Sequence, residues 1–465
     1  MSFFIGLCLV FFLLMLGCAF RFGFSLLAQH KQPLQLDIDF VIHAFFQGIL
    51  VLILMLNFVQ FFTLSNQAIT MLLLLMALIS CMVVLIGGLK LPFKIERPDP
   101  PTLIVTALTI SCSILIFIAS HSLPNMAWDS WAVWEGKADQ WFYHGLSSPI
   151  ETWENWINGQ NLLYNQSANY PDGLSLLFFT AKLATTNAFS AIHVLYLFAF
   201  TATTLLLANR IRDWEGSLFM QVFLVLVLYT TPLISNHLMI IGYADIWIGM
   251  ILAMAMIAYL DCYKFKTKGA LITLVGYLTL LPMFKLEGWV WLILLLLSHA
   301  LLYLYKNKTS RIALGVFAVG LLLIIVLFGI NIDTPFGQFK LSSEGLTVFT
   351  LIDSELSFTD VTDLLMSGFF WQNNWSLIWL GLPFLICSYL INSHSTAERV
   401  VHVFFVSAIL SFLFLFYFTE ASKWAVDFTA VNRVILQLTP CYVFLLFKML
   451  TGWQGKNGSE TPATP

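Results

Sequence analysis

Charge is what this chain has least of. Asp, Glu, Lys and Arg make up 10% of its 465 residues and hydrophobic residues 59%, with a mean hydropathy of +0.85. A soluble domain carries roughly 25% charged residues, so the shortage excludes one and leaves a protein that crosses the membrane many times. Basic blocks are missing too. The 22 Lys and Arg against 25 Asp and Glu give a net charge of −3, which offers no groove for nucleic acid. The seven cysteines form no CxxC pair and no Cys/His cluster: Cys8, Cys18, Cys81, Cys112, Cys387 and Cys441 lie in apolar runs and Cys262 follows one. Neither a disulfide framework nor a thiolate metal site is expected. No GxxxxGK[ST] loop occurs, so no ATP-binding loop is expected. Residues 2–20 lack a basic n-region and an A-x-A cleavage site and read as a retained anchor.

What is abundant is apolar sequence in runs of spanning length, about 20 residues each. They fall near 2–20, 40–63, 68–89, 102–120, 188–208, 216–235, 246–261, 269–284, 288–305, 312–330, 375–392, 400–418 and 433–450. The expectation is an all-α polytopic membrane protein of about thirteen transmembrane helices. Basic residues mark alternate connections as cytoplasmic: Arg21 and Lys31, Lys90, Lys94 and Arg97, Arg210 and Arg212, Lys264, Lys266 and Lys268, Lys306, Lys308 and Arg311, Arg399, then Lys448 and Lys456. This makes 121–187, 236–245, 285–287, 331–374 and 419–432 external, the first being a large loop with interfacial helices. Residues 173–185 are apolar but too short to span, and read as a half-embedded or interfacial helix.

On this topology the acidic motifs sort to one face. Trp128-Asp129-Ser130-Trp131, Tyr170-Pro171-Asp172, Gly242-Tyr243-Ala244-Asp245 and Lys285-Leu286-Glu287-Gly288 all abut apolar runs on the external side. A single Asp or Glu at a helix end is usually a solvated loop residue. Four beside Gly, Tyr or Trp on one face point to a shared site, where a lipid head group and a soluble molecule could meet.

The strings WDSWAVWEGKA, YPDGLSLL, GYADIW, KLEG and NRVILQLTP, in that order and spacing, resemble the GT-C superfamily of membrane glycosyltransferases. The likeness covers roughly residues 100–450 and is nearest to the branch using polyprenyl-phosphate sugars, which includes lipopolysaccharide-core galacturonosyltransferases. Protein mannosyltransferases and lipid A aminoarabinose transferases are more distant. The resemblance implies a catalytic membrane module with the site in the large first external loop, Asp129 as base, and Asp245 as the second acidic residue reaching the same cavity. Tyr170 and Asp172 stand for the YPP-like segment that packs an interfacial helix against the site. Lys285 and Glu287 match the KNEG-like motif, with Leu286 in place of a polar residue. Arg433 and Pro440 match the C-terminal motif, with Asn432 in place of its Asp, which weakens a salt bridge to Arg433. Trp128, Trp131, Glu135 and Tyr243 are supporting residues.

Chemistry makes these residue types intelligible. A polyprenyl-phosphate sugar leaves as a lipid phosphate, and Lys137, Lys285 and Arg433 are candidate cations for that charge. A carboxylate within reach of an acceptor hydroxyl can take its proton as it attacks the anomeric carbon; inversion, which the resemblance favours, needs one such base and no covalent intermediate. The expected reading is an inverting glycosyltransferase in a bacterial inner membrane. It would act on a cell-envelope acceptor, lipid, polysaccharide or protein, at the outer (periplasmic) face, without nucleic acid. The alternative is a multi-pass secondary transporter or lipid flippase, whose charges would line a path near mid-membrane.

Other features stay bland. Trp141, Trp153 and Trp156 could stack on sugars or form an interfacial belt. His121, His144 and His237 have no metal-ligand spacing, and no cofactor is expected, although Asp129, Glu135 and Asp139 could hold a divalent ion. By organisation, 1–100 holds three additional helices, 101–330 the GT-C-like module, 331–450 an external loop and further helices, and 451–465 a disordered tail.

Overall fold

The computed structural model describes residues 2–27, 34–159, 163–165, 167–305, 327–334, 337–342, 344–348, 352–391, 395–428 and 430–458, with isolated positions between 312 and 324. Its helices are α1 (Ser2–Leu27), α2 (Ile38–Val59), α3 (Asn66–Lys90), α4 (Pro100–Ser120), α5 (Glu135–His144), α6 (Trp153–Ile157), α7 (Gly173–Ala184), α8 (Ala188–Asp213), α9 (Leu218–Thr230), α10 (Pro232–Met239), α11 (Asp245–Phe265), α12 (Lys268–Phe284) and α13 (Glu287–Leu304). Later helices include Leu382–Ile391, Thr396–Phe418 and Val431–Gly458. Polar caps start many of them: Asp37 accepts from the Phe40 amide, Ser65 from Ala68, Asp99 from Thr102, Asn187 from Ser190, Ser217 from Met220 and Thr267 from Ala270. Each cap satisfies an amide that the first turn leaves without a helical partner.

The chain is a polytopic, largely helical membrane protein, but the expected thirteen spans are not all met. Among the described residues nine helices are long and apolar enough to cross a membrane, or ten if α9 and α10 count as one span. That pair is bent by 63°, because Pro232 follows Thr231 held in extended backbone. The run at 269–284 becomes the 17-residue α12. The run at 375–392 is interrupted by left-handed backbone at Ser376 and Leu377, which leaves the shorter helix Leu382–Ile391. The run at 312–330 lies largely outside the described residues. Helix α7 forms over the short apolar stretch expected at 173–185 and is buried along its first nine residues.

Contacts divide the chain into two units, Met1–Lys285 with Val443–Pro465, and Leu286–Tyr442. This partition cuts across the one drawn at residue 100, since α1–α3 belong with α8 and α12. Helices α1 and α2 touch backbone to backbone, where a Cβ at Gly17 would meet the Ala44 carbonyl and one at Gly48 the Leu13 carbonyl; small residues permit this approach between spanning helices. Within this unit α8 and α11 are buried nearly throughout. By contrast, α3 and α4 present Leu74, Leu75, Leu78, Ile114, Leu115 and Ile118 outward, the apolar surface that lipid accepts.

The second unit contains α13 and the helices Thr396–Phe418 and Val431–Tyr442. Trp291 of α13 donates to Gln437 at 2.7 Å. Trp379 lies flat on Tyr442 with ring centroids 4.3 Å apart. The expected loop at 331–374 carries a four-stranded antiparallel meander, β3 to β6 (Ile330–Thr334, Gly337–Leu341, Gly345–Val348, Ile352–Glu355). A two-stranded parallel ribbon, β1 (Leu34–Leu36) with β2 (Phe93–Ile95), joins two connections of the first unit. The last helix runs to Gly458, so the tail expected to be disordered is helical over its first eight residues, and 459–465 lie outside the described residues.

Candidate functional site

Asp129 stands on the turn that leads into a π-helical stretch, Ser130–Trp134, which runs directly into α5. A π-helical insertion widens the backbone and leaves carbonyls misdirected, a feature concentrated at functional sites. Asn165 meets the need here, its amide nitrogen donating to the Ala132 and Val133 carbonyls at 3.1 and 3.3 Å. Asp129 is half-buried. Trp128 and Trp131 flank it with about half of their surfaces exposed and their rings edge to face at 4.4 Å. Trp134 is buried and packs on the Tyr170 ring at 5.7 Å.

The GYAD loop comes up against this turn at one residue. Gly242 has φ +110°, a backbone state that side chains rarely adopt, and a Cβ there would lie 2.2 Å from Ser130 Cβ and 2.5 Å from its Oγ. Only glycine lets the two segments touch, and the contact sets the loop leading to Asp245 beside the residue after Asp129. Tyr196 binds the Tyr243 carbonyl at 3.1 Å, and its hydroxyl is within electrostatic reach of both Asp245 and Asp129. The Tyr243 ring packs on His237 at 4.9 Å.

Asp245 is fully buried at the first position of α11 and accepts from Lys285 Nζ at 2.7 Å. Lys285 sits in extended backbone at the end of α12. The same end of α12 meets the start of α7, where a Cβ on Gly173 would lie 2.4 Å from the Met283 carbonyl oxygen. Asp172, just before Gly173, accepts from Lys137 Nζ at 2.8 Å and from Gln60 Nε2 at 3.4 Å. Lys137 also donates to the Tyr170 carbonyl at 2.8 Å and is 1% exposed. Three of the four acidic motifs, with Lys285 of the fourth, are thus gathered at one end of the first unit.

Two placements differ from expectation. Lys137, a candidate phosphate cation, is buried with its charge matched by Asp172, and this pair holds α5 to α7. Glu135 and Asp139, two of the three carboxylates considered for a divalent ion, both bind Lys182, at 3.0 and 2.6 Å. Among the described residues no group of three His, Cys, Asp or Glu is placed to hold a metal. Glu287 and Arg433 lie in the second unit, the first opening α13 and the second in the first turn of the last helix. Asn432 donates to Gln372 at 2.9 Å.

Sequence reading missed Lys182, Asn125, Asn165 and Gln60. Asn125 donates to Ser130 Oγ at 2.8 Å and to Glu135 Oε2 at 2.6 Å, linking the turn to the Lys182 network. For Lys182 a signal existed: a lone lysine inside an apolar helix needs a carboxylate, and Glu135 and Asp139, four apart, present two on one face of α5. Burial works against its charge, but hydrogen bonds and charges from Asp139 and Glu135 outweigh that, and its pKa is raised.

The first unit also has a second, half-buried charge cluster, which sequence reading did not foresee. Arg210, at the end of α8, binds Asp39 at 2.5 Å, Asp213 at 3.1 Å and Asp261 at 2.8 Å. Asn209 adds a bond to Asp39 at 3.0 Å. This cluster lies at the start of α2 and the end of α11, so those helices carry it at the opposite end from Gln60 and Asp245. Acidic residues on the helices of this unit are therefore not confined to the one end where the four motifs were expected.

Compared with family models, curated proteins and solved structures, the chain finds no match. What the fold itself defines is an integral membrane protein with a polar, carboxylate-rich site at one end of a buried helical core.

Proposed function

We propose that this protein is an inverting glycosyltransferase that passes a sugar from a polyprenyl-phosphate donor to an acceptor at the outer face of a bacterial inner membrane. The observation that carries the reading is the seating of Gly242 on Ser130, which sets the Asp245–Lys285 pair beside the Asp129 turn. Asp129, half-buried between two exposed tryptophans, takes the proton of an acceptor hydroxyl as its oxygen bonds to the anomeric carbon. The bond from that carbon to the phosphate oxygen breaks, and the lipid phosphate leaves with the electron pair. Lys285 is buried against Asp245 as Lys137 is against Asp172; in this scheme donor binding draws the Lys285 ammonium from that pair toward the developing phosphate charge. Lys137 acts by fixing Asp172 and α7 rather than by meeting phosphate. Trp128 and Trp131 offer faces for a sugar ring. No cofactor enters this scheme.

The test uses purified protein in lipid with a panel of radiolabelled polyprenyl-phosphate sugars, following release of lipid phosphate. Release from one donor, lost in Asp129→Asn with unchanged thermal unfolding, supports the reading. Full turnover in that variant removes Asp129 from the mechanism. A transporter or flippase is the second reading, raised by the half-buried Arg210–Asp39–Asp261 cluster, which puts charge at the second end of the same spanning helices though not at their middle. Movement of lipid or solute across a vesicle membrane with no donor consumed would decide for it.

A further inference from the structure

Helices α2 and α12 have a second polar end, which the glycosyltransferase reading does not use. A cavity of about 510 Å³ opens there, lined by Arg21 of α1, Gln47 of α2, Thr273 of α12, and Gln35 and Lys94 of the β1–β2 ribbon. Apart from Ser25, its remaining wall is mostly apolar, with Phe20, Phe24, Leu34, Leu91 and Ile272. Thr273 lies 12 residues before Lys285 along α12, roughly 18 Å at 1.5 Å per residue, so the cavity is separate from the Asp129 site.

The guanidinium of Arg21 is under-matched. It makes one long hydrogen bond, to Gln47 Oε1 at 3.4 Å, and lies over the Phe40 ring at 4.7 Å, while its Nε has no hydrogen-bond partner. The nearby carboxylates are engaged elsewhere. Asp39 is held by Arg210 and Asn209, and Asp37 caps α2 through the Phe40 amide at 2.7 Å. Among the described residues Arg21 forms no ion pair. Lys94 stands at the exposed mouth, bridged to Glu96 at 3.2 Å, and Gln35 also reaches Glu96 at 3.4 Å. A half-buried guanidinium without an anion is under-satisfied, and its planar fork suits phosphate oxygens.

We propose that this cavity binds the phosphate head group of an anionic membrane lipid, with Arg21 as the principal contact, Gln47 and Thr273 as further polar contacts, and the acyl chains along the apolar wall. The apolar wall selects a lipid over free phosphate. The site gives the first three helices a role that is independent of any reaction at Asp129.

Full-length protein in detergent is titrated with dioctanoyl phosphatidic acid, dioctanoyl phosphatidylcholine and inorganic phosphate, following thermal unfolding and native mass spectrometry. Phosphatidic acid should raise the unfolding temperature and stay bound, the zwitterionic lipid far less, and inorganic phosphate not at all. Arg21→Gln should weaken phosphatidic acid binding about tenfold, the effect of a charge-assisted hydrogen bond, and Lys94→Gln less. Gly269→Trp is the second variant: Gly269 lines the cavity and a Cβ there meets nothing within 4 Å, so the added ring fills the space and should abolish binding while the fold is kept. Equal binding of both lipids, a shift given by inorganic phosphate alone, or unchanged affinity in Gly269→Trp would each overturn the proposal.

Discussion

Substituting Gly242 with alanine tests whether the Asp129 turn and the GYAD loop are built against each other. Two penalties add. The backbone at φ +110° lies where non-glycine residues cost about 1–3 kcal/mol. The new methyl would also sit 2.2 Å from Ser130 Cβ, and overpacking of a tight contact costs a further ~1–3 kcal/mol. Gly242→Ala should therefore destabilise the protein by about 2–6 kcal/mol, read as a clear fall in the unfolding temperature in detergent. The double variant with Ser130→Gly removes the nearest clashing atoms but not the backbone strain, so it should recover part of the loss. That non-additivity is the signature of contact. Gly269→Ala is the control: with open space around its Cβ, alanine in a helix should be neutral or stabilising by up to ~1 kcal/mol. If Gly242→Ala unfolds at the wild-type temperature, the two segments are not in contact and the site as described does not exist.

Other consequences follow from the buried charges. Arg210→Met removes the cation shared by the half-buried Asp39 and Asp261 and should destabilise by about 1–3 kcal/mol, measured by thermal unfolding; a shift no larger than that of an exposed-charge variant such as Lys268→Met would refute the pairing. Lys182→Met should lower stability by about 1–3 kcal/mol by leaving Glu135 without its cation, and Glu135→Gln in the same chain should recover part of it. Because the Lys182 pKa is raised, its contribution is fully present below the unfolded value near ~10.4 and is lost only as pH rises through the higher folded value. The difference in unfolding temperature between wild type and Lys182→Met should thus stay constant from about pH 6 to about pH 9; a difference that disappears on going from pH 6 to pH 9 would show that the network is not ion-paired. Asn165→Ala should loosen the π-helical turn, seen as faster amide exchange at Trp134 and Glu135, and unchanged exchange would mean that the turn holds without it.

The spanning helices were legible because lipid imposes a simple rule, a long apolar run with its backbone bonds satisfied internally. That rule found α1 to α4, α8, α11 and α13 from composition alone. It failed where local backbone chemistry intervenes: Pro232 bends one run, left-handed backbone at Ser376 and Leu377 interrupts another, and the meander at 330–355 carries a hairpin pattern that hydropathy does not report. The motifs of the site were also legible, since acidic residues at the ends of apolar runs are few and stand out. Their pairing was not. Lys137 and Lys285 looked equivalent as cations in the sequence, and only the tertiary structure gives Asp172 to one and Asp245 to the other. Lys182 looked incidental until α5 brought Glu135 and Asp139 to it, and Arg21 looked like a topology marker until α2 and α12 closed a cavity around it. The sequence by itself determined that this chain lives in a membrane and where its charges are placed along it. Which charges meet was decided by helix packing, because contacts between residues far apart in the chain depend on how helices cross, and no local pattern encodes that.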